Sequence, residues 1–158
     1  MVRFKNRWIL CKLNFGSAYH SVKSQKIAAS LTKKHILQSI LTAIEENFGI
    51  LGIGNVSRKL KVNDYRPVLN VFIIECVANH IDLLRSTLFF LTTINDIRVS
   101  ISVLHVSGTL IQLKKAYTQY IISDAWRGYD IHVTSQKNSL PAILYSELCN
   151  VKTIDDSI

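Results

Sequence analysis

The 158-residue sequence is short of chain breakers and of acids. Two prolines and six glycines exclude collagenous and linker-rich chains, and 48% apolar residues with a mean hydropathy of +0.19 supply a folded core. At about 100–200 residues per domain, one main domain is expected. The longest apolar run, residues 68–78, already contains Asn70 and Glu75 and falls short of the roughly 20 residues that cross a bilayer, so no membrane-spanning helix is expected. The opening 12 residues lack a signal-peptide core and cleavage site and read as mature protein. Cys11, Cys76 and Cys149 lie 65 and 73 residues apart without a C-x-x-C clip, which predicts structural thiols in a reducing compartment and no zinc site. The 11 acids are scattered and include no D-x-D pair for two-metal chemistry. Residues 49–54 read G-x-x-G-x-G, neither a dinucleotide fingerprint nor a P-loop. His105 with Ser107 and His80 with Asp82 lack a third, orienting partner. No catalytic site and no cofactor bound by this chain are expected.

Positive charge, by contrast, is abundant and unevenly placed. The formal net charge is +8, and residues 1–66 hold twelve Lys and Arg against Glu45, Glu46 and Asp64. Before Glu45 there are eight cations and no anion, a bias that suits a polyanionic partner, nucleic acid first. Arg3, Lys5 and Arg7 alternate into a β-forming segment, so an extended chain projects all three to one side, a geometry that tracks a phosphate backbone. Arg58, Lys59 and Lys61 extend this surface from a second strand, and Lys12, Lys114 and Lys115 add further cations. The turn at Ser107, Gly108 and Thr109 offers helix N-terminal amides to a phosphate, or Ser107 or Thr109 simply caps the helix.

Periodicity gives the element order. Residues 7–15 alternate as a strand, with Trp8, Leu10 and Lys12 opposite Arg7, Ile9, Cys11 and Leu13. Residues 16–25 read as a loop. Leu31, Ile36, Leu37, Ile40, Leu41, Ile44 and Phe48 recur at helical spacing, and Gly49 stands at a C-terminal stop. Strands follow at 56–62 and 68–77, joined by a turn over 63–67, then a helix at 81–91, a strand at 97–103 and a helix from Gly108 onward. The third strand has only Phe72 among its aliphatics, without an RNP-type aromatic stretch, so Phe72 reads as core. The helix at 81–91 is apolar nearly all round, and Leu84, Leu88, Phe89 and Phe90 are assigned to a partner surface. The order predicts an α+β, ferredoxin-like (RRM-like) βαββαβ sandwich with an additional C-terminal helix, as a domain over 1–126 with an extension over 127–158 that carries a short helix before Leu148 and an acidic end.

The opening ten residues, MVRFKNRWIL, resemble the N-terminus of the Pop-five protein family of eukaryotic ribonuclease P and ribonuclease MRP. Val106-Ser107-Gly108-Thr109 resembles that family's V-x-G-T turn, and Phe48-Gly49 and Ile73-Ile74-Glu75-Cys76 fit the same pattern, over about residues 1–122. The resemblance implies a noncatalytic RNA-binding subunit that supports a catalytic RNA in 5′-leader removal from precursor tRNA and in precursor rRNA processing. It implies as partners the ribonuclease P and MRP RNAs, a TIM-barrel-like protein subunit and other subunits. Mg2+ is then expected at the RNA active site, in a nuclear and nucleolar particle, with no membrane role. It points to Arg3, Lys5, Asn6, Arg7 and the Ser107–Thr109 turn as RNA contacts. Glu75 stands where the family usually has Arg, a reversal of charge. The competing reading is a protein–protein adaptor with an RRM-like fold and no direct RNA role.

Overall fold

Residues 6–15 form the middle of an antiparallel sheet, because their alternation gives the segment two faces that must both be covered. The computed structural model describes residues 5–16 and 21–129. Arg3, Cys149 and the helix and acidic end expected after residue 129 lie outside them. The strands are β1 (Asn6–Phe15), β2 (Lys61–Arg66), β3 (Val71–Val77), β4 (Thr93–Ile94) and β5 (Ile97–Ser107), in the order β2-β3-β1-β5-β4. The helices are α1 (Ser21–Ser30), α2 (Lys33–Val56), α3 (Ile81–Phe90) and α4 (Leu110–Tyr129), with a 3-10 turn at Ala78–His80 before α3. The fold is α+β and ferredoxin-like, with a helix C-terminal to the core. Contacts divide the chain into Met1–Thr109, which holds the sheet and α1–α3, and Leu110–Ile158, which begins with α4.

Register decides the faces. Ile9 pairs with Ile74 and Cys11 with Phe72, and with Leu13 and Cys76 these side chains share one core with Ile36, Ile40 and Ile44 of α2 and Leu84 and Leu88 of α3. Trp8, Leu10, Val71 and Ile73 occupy the opposite face and are also buried. Cys11 and Cys76 are free thiols sealed in that core. In α4, Leu113, Tyr117 and Ile121 fall on one buried stripe at the spacing read from the sequence.

Several boundaries move. Residues 21–30 are helical rather than loop. Their anchor is Tyr65, whose hydroxyl donates at 2.9 Å to the Ala28 carbonyl in the last turn of α1, which also accepts from the Leu31 N–H at 3.2 Å. The β2–β3 hairpin turns at residues 67–70, where Asn70 adopts φ 54° and donates its N–H to Pro67 O, so β3 begins three residues later than the apolar run. A further hairpin joins β4 to β5 through Asn95 and Asp96, both at positive φ.

Helical geometry stops at Gly49, where the spacing places the end of the helix, but a second helical segment follows at once. The backbone leaves helical geometry there (φ 66°, ψ −167°) and resumes, so two helical segments run end to end to Val56. That conformation is essentially reserved for glycine, and Gly49→Ala is expected to cost about 1–3 kcal/mol in urea unfolding. Against the expectation of no membrane-spanning helix, Lys33–Val56 spans 24 residues and is long and apolar enough to cross a membrane by length and composition, although its helical geometry is broken at Gly49. Its Ile36, Ile40, Ala43 and Ile44 row packs into the core.

Burial pushes the Tyr65 hydroxyl up to about 12 and the Cys76 thiol up to about 11, from ordinary values of 10.0 and 9.0. Burial, with the neighbouring Cys76, moves Cys11 in the same direction. The folded state thus holds these protons more tightly than the unfolded chain. Their contribution is complete below pH 9 and is lost as the pH rises through 11 and 12. Chemical unfolding at pH 8 and pH 11 is expected to show this fall. Tyr65→Phe, which leaves the Ala28 carbonyl with one donor fewer, is expected to lose about 1 kcal/mol at neutral pH and to soften the alkaline fall.

Candidate nucleic-acid interface

The register brings together one end of four strands. Lys61 of β2 lies opposite Glu75 of β3, Glu75 opposite Trp8 of β1, and Trp8 opposite Ser107 of β5, so the four share a row on one face. On the other face of the same end, Arg7 lies opposite Cys76 and reaches toward Gly108. Its Nη1 sits 3.2 Å from the point a Cβ on Gly108 would occupy, so the missing side chain at Gly108 is what lets the guanidinium approach the turn. The same Nη1 donates to the Asn6 carbonyl at 3.3 Å. Arg7 also lowers the Cys76 thiol, against the larger upward effects of burial and of Glu75. Lys5 is exposed one residue before β1, its carbonyl held by the Ala78 N–H at 2.8 Å.

Two polar devices hold this end in shape. Glu75 accepts from Asn6 Nδ2 at 2.7 Å and from Asn63 Nδ2 at 3.2 Å, one carboxylate oxygen each. The Glu75 carboxylate is therefore a brace between β1, β3 and β2. In the turn, Ser107 Oγ donates to Thr109 O at 2.7 Å and accepts from Thr109 N at 3.1 Å. Ser107 thus closes a local turn over Thr109, and the Thr109 amide is engaged within it. The Ser107 hydroxyl serves the backbone of its own turn, and exposed His105 lies two residues back along the strand.

Of the residues assigned to RNA, Lys5, Asn6, Arg7, Lys61, Ser107, Gly108 and Thr109 meet at this end. Others do not. Lys12 lies on the face opposite Arg7 and roughly 17 Å further along β1. Arg58 and Lys59 are exposed in the turn after α2 rather than on a strand, because the helix continues to Val56. Lys114 and Lys115 belong to α4 in the second unit. Phe72 is fully buried and unavailable for stacking.

The partner assignment needs a correction. Leu84 and Leu88 are fully buried on the core side of α3, so they form no docking surface. Phe89 and Phe90 are 81% and 57% exposed and pack edge to face with ring centres 5.7 Å apart. The Asn6–Glu75–Asn63 brace was missed, since 69 residues separate Asn6 from Glu75 and only the strand register joins them.

Residues 7–118 match the profile of the Rpp14/Pop5 family. The chain belongs to that family. Among curated Rpp14/Pop5 relatives, the ribonuclease P/MRP protein subunit POP5 of Schizosaccharomyces pombe is 31% identical over 115 residues, covering 70% of this chain and 81% of that protein. A chain in the cryo-EM structure of yeast ribonuclease MRP superposes with a TM-score of 0.54 over 78% of this chain and 96% of that one, at 14% identity, a likeness of fold. The matched span runs from Arg7 to within α4, so it includes both sides of the Arg7–Gly108 approach.

Proposed function

We propose that this Rpp14/Pop5 protein is a noncatalytic RNA-binding subunit of ribonuclease P and of ribonuclease MRP. The observation that carries the reading is the 31% identity, over most of both chains, with a protein described as a subunit of those particles. Lys5, Arg7 and Lys61 at one end of the sheet supply positive charge for phosphates, and the closed Ser107–Thr109 turn presets the backbone beside them. The RNA, with its Mg2+, performs the cleavage in precursor tRNA and precursor rRNA, and this chain orders phosphates near it. A TIM-barrel-like protein subunit and the nucleolus are the partner and place that follow from this role.

The test is affinity purification of the tagged protein in gentle salt, sequencing of the RNA that accompanies it, and assay of the eluate on precursor tRNA before and after RNA digestion. A structured RNA with leader-removing activity that digestion abolishes is the expected result. Protein partners without enriched RNA would replace this reading with the adaptor. Cleavage by the purified chain alone would overturn the noncatalytic role.

A further inference from the structure

The two edges of the sheet are guarded unequally. β2, at one edge, carries Lys61, Asp64 and Arg66, an Arg66–Asp64 ion pair at 2.8 Å, and a register break between Val62 and Asp64. Charges and bulges of this kind are how natural sheets prevent unwanted strand pairing. At the opposite edge, β4 pairs with Ile97 and Arg98 of β5, and Thr92 just before it takes the Val99 N–H. The next stretch, Val-Ser-Ile-Ser-Val over residues 99–103, has no charge and no proline, and its register break comes only after Val103.

The hydrogen-bonding phase of that stretch can be read from its neighbours. Leu13 lies opposite Ile101, yet its N–H turns the other way and donates to Asn70 O at 2.7 Å, so the pair does not exchange backbone bonds. The N–H and C=O of Ile101 therefore point away from β1, where no described strand pairs with them. Val99, two residues before, shows the same phase by donating outward to Thr92 O at 2.9 Å, and Val103 follows it by alternation. Alongside runs a groove of ≈ 640 Å3 between this edge and α3, with Phe89 and Phe90 on its helical side. Arg85 lines it too, exposed and with no carboxylate partner among the described residues. Asp82, a turn earlier, already sits where the helix N-terminus favours an acid.

We propose that this groove receives an extended segment of another protein, added as a strand along Ile101–Val103 beyond the end of β4. Apolar side chains of the segment lie against Phe89 and Phe90, and one acidic side chain faces Arg85. The backbone phase selects a strand as the occupant, and the Arg85 guanidinium, without a carboxylate partner among the described residues, selects an acidic one. The surface stands apart from the cationic end of β1, so it does not depend on the RNA-binding role.

The test uses the full chain against a random nonapeptide library displayed on phage, followed by fluorescence anisotropy with the enriched peptides resynthesised. Enrichment of alternating apolar sequences with an acidic residue is expected. Arg85→Glu should weaken these peptides at least about tenfold. Ile101→Pro, which removes one outward N–H on an edge where proline is tolerated, should abolish binding. Methylating alternate backbone nitrogens of the peptide, with the protein untouched, should do the same. The proposal is overturned if nothing is enriched over the Ile101→Pro chain, or if the methylated peptide binds equally. It is also overturned if sedimentation shows the chain pairing with itself through this edge.

Discussion

Reversal of both Lys5 and Arg7 to glutamate is expected to weaken binding of the co-purifying RNA by about 10- to 100-fold at physiological salt, while leaving the fold intact. Lys5 is exposed and Arg7 half-buried at the cationic end of β1. Each cation that neutralises a phosphate releases a counterion, so the double variant should also flatten the dependence of log K on log salt by about 1.4–1.8. Arg98→Glu makes a matched control. Arg98 lies at the far end of β5, beyond the Phe15–Val99 pair, roughly 27 Å from the Ser107 end. Its reversal should change affinity by less than about twofold. Filter binding across a salt series measures all three proteins. Equal losses at both ends would mean that the positive charge acts only as a diffuse field.

Phe72→Ala is the substitution expected to damage the fold most. The ring is fully buried between Cys11 of β1 and Tyr65 of β2, with nothing mobile to collapse into the space. A loss of about 3–5 kcal/mol is expected in urea unfolding. RNA affinity of the protein that remains folded, measured in the cold, should not change. A stacking platform would give the opposite pattern, a stable protein that binds RNA poorly. Phe72→Leu, which keeps most of the volume, should cost far less in stability and nothing in binding.

These contrasts also show where sequence pattern carries information. The parity of β1 was readable because Trp8, Leu10 and Lys12 alternate cleanly with Arg7, Ile9 and Cys11, and the register confirms both faces. The same parity already placed Lys12 away from Arg7. In α3, by contrast, Asp82, Arg85 and Ser86 mark the exposed stripe at helical spacing, but Phe89 and Phe90 continue the apolar run onto that side and mask the contrast with Leu84 and Leu88. Packing decides it, with the leucines inward and the phenylalanines outward. The start of β3 was hidden because Val68 and Leu69 continue its apolar run, although Asn70 in the left-handed region turns the chain there. α1 has little apolar pattern of its own beyond Ile27 and Ala28, and a long-range bond from Tyr65 secures it. Arg7 and Gly108 are about 100 residues apart in sequence, and only the β1–β5 pairing makes them neighbours.

The central position of β1 sets a timing problem for synthesis. β1 hydrogen-bonds to β3 and β5, and β5 ends at Ser107, roughly 90 residues after Phe15. At about 5–20 residues per second, the ribosome takes on the order of 5–20 s to deliver that last partner. Throughout that interval Ile9, Leu10, Cys11 and Leu13, all fully or almost fully buried in the finished fold, have no complete sheet to enter. The nascent chain thus displays its most adhesive segment earliest and longest, and chaperone occupancy on β1 should end only when β5 has emerged.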